Sequence, residues 1–381
     1  MSPPKSGPNG TGNFLFRILP LVFCLSSPSA TTPMAWLQGQ SEPRKAPGES
    51  RKPADWSEVD RLISEQKFEE AARRVEQLRQ SAQESENQAD WARALIRETQ
   101  LRMGLHGYET AVRHLKEEPW PDGVLNRVPL QLFYANSLTR YYRAYSYEIS
   151  RREQVQSVET VDLRAWTREQ IYGQAQEAYH DAWMQREALG REPVDRLAEY
   201  LEGNNHPPGT RDTLRDALSY LYVELLADSS LWTARQSNQL HLLDVKGLIA
   251  GGGEGTPDRP ILLDPSAHPL LKLGRVLDDL EAWHRRNGRP AASLEARLER
   301  TRRLHAAFTH ASDRKLILED LEGRLSGYRE DPWWAEAMAT LAQLIRQGNE
   351  AGKLVRAVSL ADQGRRAFPD SVGGRRCLQI I

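Results

Sequence analysis

The chain has 381 residues, enough to bury one large core or two smaller ones. Its 51 Lys and Arg balance 52 Asp and Glu, so it lacks the clustered positive excess of a nucleic-acid-binding domain. Ten Trp and 12 Tyr point to a packed fold, because chains that stay disordered are poor in aromatics.

The first forty residues read as an address. Lys5 and Arg17 precede a short apolar run, Ile18 to Leu25, and small residues follow at Ser26, Ser27, Ser29, Ala30 and Ala35. That order is the layout of a secretory signal peptide over 1–35, with cleavage after Ser29, Ala30 or Ala35. The run is too short to span a bilayer. The sequence therefore predicts an exported, periplasmic or cell-surface protein with no transmembrane helix after cleavage. Cys24 stands where a lipid-bearing cysteine would, but bulky Phe23 precedes it, which disfavours an anchor there. With the leader removed, Cys377 is the one cysteine left, which excludes an intramolecular disulfide and a cysteine-built metal site.

Residues 36–54 are polar and rich in Pro, Gly and basic side chains, the composition of a linker. Asp55 is placed to cap a helix from Trp56, with Val59, Leu62 and Ile63 on its apolar face. Phe68, Ala71, Ala72 and Val75 mark the next helix, and Ala92, Leu95, Ile96 and Thr99 a third. Tyr108, Ala111, Val112 and Leu115 then repeat the Phe68 template at an offset of 40 residues. Small residues beside an aromatic let paired helices approach closely. The pattern is tetratricopeptide-like, although the offset departs from that family's period.

Glu118 to Gly123 breaks the pattern. Leu130, Phe133, Tyr134, Ser137, Leu138, Tyr141, Tyr142, Tyr145 and Ile149 keep helical spacing over several turns. Such a stripe can be an aromatic groove for a peptide or sugar, but its length favours a packing face with tyrosine hydroxyls near the surface. Tyr172, Ala175, Tyr179, Ala182 and Trp183 form another helix, stopped near Gly190. A short helix is expected over Pro193 to Leu201, then a loop over Gly203 to Gly209. Leu214, Ala217, Leu218, Leu221 and Leu225 form one more buried stripe.

Residues 240–269 are the least regular and read as a Gly/Pro-rich linker between a helical region over 55–239 and a second over 270–381. Gly251-Gly252-Gly253-Glu254-Gly255 has the glycines of a phosphate cradle but not its context, since Thr256-Pro257 follows where a helix with Lys-Ser/Thr is needed. Leu273, Val276, Leu277, Leu280 and His284 open the second region. Leu294, Leu298, Thr301, Leu304, His305 and Phe308 follow, then a helix over Leu316 to Tyr328. The clearest unit runs from Trp333 to Ser371. Trp334, Met338, Leu341, Ala342 and Ile345 give one stripe, Gly348 to Gly352 a break, and Leu354, Ala357, Val358 and Ala361 a second stripe ended by Phe368-Pro369-Asp370-Ser371. The fold class expected is all-α, built of degenerate helical hairpin repeats in the manner of an α-solenoid.

Chemistry-bearing patterns are sparse. His305 and His310 lack the spacing and intervening Glu of a zinc-peptidase helix. His284 and His305 lie on apolar faces, as core histidines do. Carboxylates such as Glu299, with Arg302 and Arg303 at i+3 and i+4, read as a solvated, ion-paired helix face. No serine sits in a nucleophile elbow. The sequence names no catalytic, cofactor-binding or metal-binding residue, predicts no cofactor, and leaves an enzyme with a dispersed site as the least favoured of three readings.

The order of pieces is familiar. A leader is followed by Trp56-Ser57-Glu58-Val59-Asp60-Arg61, by Tyr134-Ala135-Asn136-Ser137-Leu138 on the aromatic helix, and by Thr210-Arg211-Asp212-Thr213 after a Pro-Gly loop. Leu280-Glu281-Ala282-Trp283-His284 and Ala367-Phe368-Pro369-Asp370-Ser371 close the series. Over residues 55–381 this resembles the helical N-terminal region of bacterial alpha-2-macroglobulin-like proteins. The resemblance implies a non-catalytic module of a secreted endopeptidase inhibitor, with macroglobulin β-domains, and through them proteases, as protein partners. The family's Cys-x-Glu-Gln thioester is missing, because Cys377 is followed by Leu378, Gln379 and Ile380. None of the family's functional residues carries over. The chain is then a fragment of such an inhibitor, or else a stand-alone exported helical scaffold that binds a protein.

Overall fold

The computed structural model describes residues 17–18, 55–153, 161–251 and 259–381. The expected leader apart from Arg17 and Ile18, the linker over 36–54, and Gly252 to Gly255 lie outside the described residues. Those described are overwhelmingly helical, as the 3.6-residue periodicity requires. The strands among them are β1 (Arg17–Ile18) and β2 (Leu201–Glu202), paired antiparallel with Ile18 opposite Leu201. The chain divides into two units, one over 19–133 and one over 134–381 together with 1–18.

The first unit holds α1 (Ser57–Ser64), α2 (Phe68–Glu84), α3 (Gln88–Gly104), α4 (Tyr108–Glu117) and the start of α5 (Val124–Ile149). Asp55 stands one residue before Trp56, the N-cap of α1, and its carboxylate accepts from the Ser57 N–H at 3.1 Å and from the Ser57 hydroxyl at 2.6 Å. Three successive connections have one geometry. Gln66, Glu86 and His106, at a spacing of 20 residues, each take a left-handed conformation. In each turn the following residue's N–H reaches back five positions: Lys67 to Leu62 at 2.9 Å, Asn87 to Ala82 at 2.8 Å, Gly107 to Arg102 at 2.8 Å. This is a Schellman closure, which satisfies carbonyls the helix end would otherwise leave unbonded. Two such helix-turn steps make up the 40-residue offset between Phe68 and Tyr108. Val59, Ala71, Val75, Ala94 and Leu101 are buried together in this unit's core.

The second unit takes over within α5, whose backbone leaves helical geometry at Tyr145. It continues with α6 (Arg168–Trp183), α7 (Arg186–Leu189), α8 (Leu214–Ala227), α9 (Ala234–Gln239), α10 (Val245–Ala250) and α11 (Arg259–Leu263). After these come α12 (Pro269–Arg286), α13 (Pro290–Ala307), α14 (Ala311–Arg324), α15 (Trp333–Gln347), α16 (Lys353–Ala367) and α17 (Val372–Leu378). Thr167, Thr213 and Thr233 open α6, α8 and α9 with reciprocal capping boxes.

Tyr134, Tyr141 and Tyr142 are buried, so the aromatic stripe of α5 is a packing face, with the Tyr141 hydroxyl donating to the Leu163 carbonyl at 2.9 Å. Two expectations need correction. The short helix over Pro193 to Leu201 is a single 3-10 turn, Val194–Leu197, after which the chain extends into β2. Residues 240–269 carry α10 and α11, and Val245, Leu248, Ile249 and Leu262 are buried. Periodicity could not show this, because a six-residue helix contains less than two turns.

Trp333 to Ser371 is the hairpin expected of it. Trp334, Met338, Leu341, Ala342 and Ile345 are all buried, and Gly352, at positive φ, sets up the start of α16. The inward face of α16 differs from expectation. It is Ala357, Leu360, Ala361 and Gly364, while Leu354 and Val358 are exposed. Short α17 seats against α15 through Gly373, where an added Cβ would collide with the Glu336 backbone.

Candidate functional site

Helix α13 carries more buried charge than any sequence pattern suggested. Glu295, Arg297, Glu299 and Arg300 are all buried. Arg211, from the connection before α8, stacks on Tyr220 and donates to Glu295 Oε1 at 2.5 Å and to Glu299 Oε2 at 3.1 Å. Arg302 donates to the same two carboxylates at 2.9 and 3.0 Å, and Arg303 to Glu299 Oε1 at 2.7 Å. The Trp333 indole N–H completes Glu295 at 2.9 Å. Burial by itself would raise both carboxyls. For Glu295 the Arg302 and Arg211 guanidinium groups reverse this and hold it well below the usual range. For Glu299 the Arg211, Arg303 and Arg302 charges bring it down to about 2. The pairing of Glu299 with Arg302 and Arg303 is as expected, but Glu299 is buried, so this is an interior network and not a solvated face.

The other side of α13 closes a helix end. Arg300 Nη1 donates to the Leu248 carbonyl at 2.8 Å, Arg297 Nη1 to Ile249 at 2.6 Å, and Arg324 Nη2 to Ala250 at 3.4 Å. The last three carbonyls of α10, where the helix dipole is negative, thus each meet a guanidinium. A cavity of about 520 Å³ lies beside this end, walled by Gly251, Asp278, Glu281, Arg285, Arg324 and Tyr328. Of its charges, Glu281 pairs with Arg297 across the wall at 2.7 Å, while Asp278 and Arg324 pair with Arg300 and Asp320 behind it, the latter at 2.9 Å.

The residues weighed from sequence fall in separate places. His284 is fully buried and meets Asp216 Oδ1 at 2.7 Å, tying α12 to the capping box of α8. His305 is buried on α13, and burial together with the Arg314 charge lowers it to about 4. His310 is exposed, five residues on. Cys377 is buried under α15, where its thiol, pushed up to about 11 by burial and by Glu336, contacts the Ala335 carbonyl at 3.4 Å. In the first unit, Glu98 binds His114 at 2.5 Å and Arg79 at 3.0 Å, and Arg79 also reaches Glu118 at 3.0 Å. Among the described residues no group of His, Cys, Asp and Glu is arranged to hold a metal ion.

What these clusters share is that their charges point at one another. The outward surface of the C-terminal helices is different. Leu354 is 59% exposed and Val355 77%, with Val358 one turn on from Leu354 and also exposed. Val372 and Leu378 of α17 are exposed as well. The sequence placed Leu354 and Val358 inside because apolar spacing marks a face without saying which side is covered. No helix among the described residues is long and apolar enough to cross a membrane.

Compared with protein-family models, curated proteins and solved structures, the chain matches none.

Proposed function

We propose that this chain is a non-catalytic helical module that works by protein contact through the outward face of α16 and α17. The observation that supports it is the group of exposed aliphatic side chains there, Leu354, Val355 and Val358 foremost, on helices whose inward faces are otherwise closely packed. Clustered exposed apolar groups mark interaction surfaces. The buried charge clusters, by contrast, serve packing and helix closure.

A photo-crosslinking amino acid at Val355 tests this in the producing cell. Covalent adducts to another protein are expected at Val355 and not at Glu319, an exposed position on α14. Equal labelling at the two sites, or none at Val355, would overturn the reading.

The setting we propose is the helical N-terminal region of an exported alpha-2-macroglobulin-like inhibitor, resting on the order and helical pattern of residues 55–381. Reading the gene past the codon for Ile381 tests it: continuation into β-rich sequence with a thioester supports it, and a stop codon sinks it. In either case the 381-residue chain itself should form no covalent adduct with an endopeptidase, since its buried Cys377 has no Glu-Gln beside it. A boiling-resistant adduct on incubation with proteases would contradict that.

A further inference from the structure

The contact surface proposed above has a charge as well as a shape, and on that reading we infer that its partner presents an acidic amphipathic helix. Residues 353–381 contain six cations, Lys353, Arg356, Arg365, Arg366, Arg375 and Arg376, against two carboxylates, Asp362 and Asp370, a net charge of +4. The whole chain carries -1. Arg356 and Arg376 are matched by Glu322 of α14 and Glu336 of α15, which leaves Lys353, Arg365, Arg366 and Arg375 against Asp362 and Asp370 on the two helices that expose the aliphatic side chains.

The face is built in two halves. Leu354, Val355 and Val358 occupy the N-terminal half of outward α16. Asp362, Arg365 and Arg366 occupy the same side in the C-terminal half, because positions 354, 358, 362 and 365 lie along one side of a helix with 3.6 residues per turn. Asp362 pairs with both Arg365 and Arg366, at 2.9 and 2.7 Å, and the Arg366 side chain remains 74% exposed. Arg356 borders the apolar half and pairs with Glu322 at 2.5 Å on the exposed surface. A helix laid on this face with apolar residues at i and i+4 would cover Leu354 and Val358. Carboxylates on its flanks would meet Arg356, Arg365 and Arg366.

Charge selects among occupants. A second copy of this chain would set arginines against arginines across a symmetric contact, which like-charge repulsion opposes. A nucleic-acid backbone would satisfy the arginines but leave the aliphatic centre without a counterpart. An acidic amphipathic helix satisfies both halves.

Fluorescence anisotropy with the full chain tests this, using two labelled amphipathic helical peptides with the same leucine stripe. One has glutamates on its polar face and the other lysines. The acidic peptide is expected to bind at least about tenfold more tightly, and to weaken as salt rises from about 0.02 to about 0.5 M. The Leu354→Asp/Val358→Asp chain, checked for unchanged circular dichroism, should lose that binding. Arg365→Glu/Arg366→Glu should erase the preference between peptides. Equal affinities in the unaltered chain, no binding of the acidic peptide, or binding indifferent to the Leu354 and Val358 substitutions would each overturn the inference. A parallel arm uses phosphatidylglycerol vesicles; tighter, Leu354-dependent binding to these than to the acidic peptide would assign the face to a lipid surface and also overturn it. Crosslinking at Val355 that persists when the peptides fail would leave the contact reading standing without the acidic partner. Failure of both assays would remove both.

Discussion

Glu295 and Trp333 are both buried, and the indole N–H of Trp333 donates to Glu295 Oε2 at 2.9 Å. The bond joins the first residue of α15 to a carboxylate on α13 that already accepts from Arg211 and Arg302. Removing one member of such a set leaves the others charged and out of water. Glu295→Ala is expected to cost about 3–5 kcal/mol, the range for breaking a buried pair, in urea unfolding of the full chain. Glu65→Ala, which removes an exposed and solvent-screened partner of Arg61, should leave stability essentially unchanged in the same experiment.

The same carboxylates set the acid limit of the fold. Both Glu295 and Glu299 lie below the ordinary value of 4.5 in the folded protein, Glu299 at about 2. Below about pH 4.5 the unfolded chain therefore takes up protons that the folded chain refuses. The stabilisation is complete above about pH 4.5 and is lost as the pH falls toward about 2. Circular dichroism melts between about pH 5 and about pH 2 should show Tm falling with pH, and Glu299→Gln should flatten the slope even though its plateau is lower.

His305 adds a second window. Burial holds it at about 4 in the folded state, below its ordinary 6.5. The unfolded chain is then protonated first, so stability falls as pH drops from about 6.5 toward about 4. His305→Gln should remove that part of the loss. A Tm profile of the variant that keeps the same slope between about pH 6.5 and about pH 4.5 would show that His305 is not its source.

The three left-handed turns make an opposite prediction. Gln66 and Glu86 carry side chains in a conformation that costs roughly 1–2 kcal/mol for residues other than glycine. Gln66→Gly and Glu86→Gly are each expected to stabilise by about 0.5–1 kcal/mol despite the greater freedom of the unfolded chain. Chemical denaturation of the single variants measures this, and a loss of stability in both would contradict it.

The C-terminal helices should respond unequally. An added Cβ at Gly374 would collide with the Phe368 carbonyl, so Gly374→Ala is expected to destabilise by about 1–3 kcal/mol through overpacking. It should also speed alkylation of Cys377, whose burial and raised value protect it in the native chain. Leu354→Asp, on the open face, should stay within about 0.5 kcal/mol of the parent.

Local patterning was enough to establish that the chain is helical and where most long helices run. Apolar spacing in α2, α4, α8, α12 and α15 repeats turn after turn, and Pro, Gly and capping Thr or Asp end the runs. That information is written in neighbouring residues, so it can be read without knowing what lies across the core. Packing decided which sides are covered. In α16 the spacing admits a stripe through Leu354 and Val358 or one through Leu360 and Gly364. Contact with α15 and α17 selects the second and leaves the first outside. On α13, Glu295 and Glu299 have the spacing of surface ion pairs, yet Arg211 arrives from 84 and 88 residues away and buries them. The end of α10 is closed by Arg297, Arg300 and Arg324, which reach its carbonyls from two other helices, and a six-residue segment cannot announce partners so distant. A helix follows from its own residues, whereas burial is a property of what is packed against it.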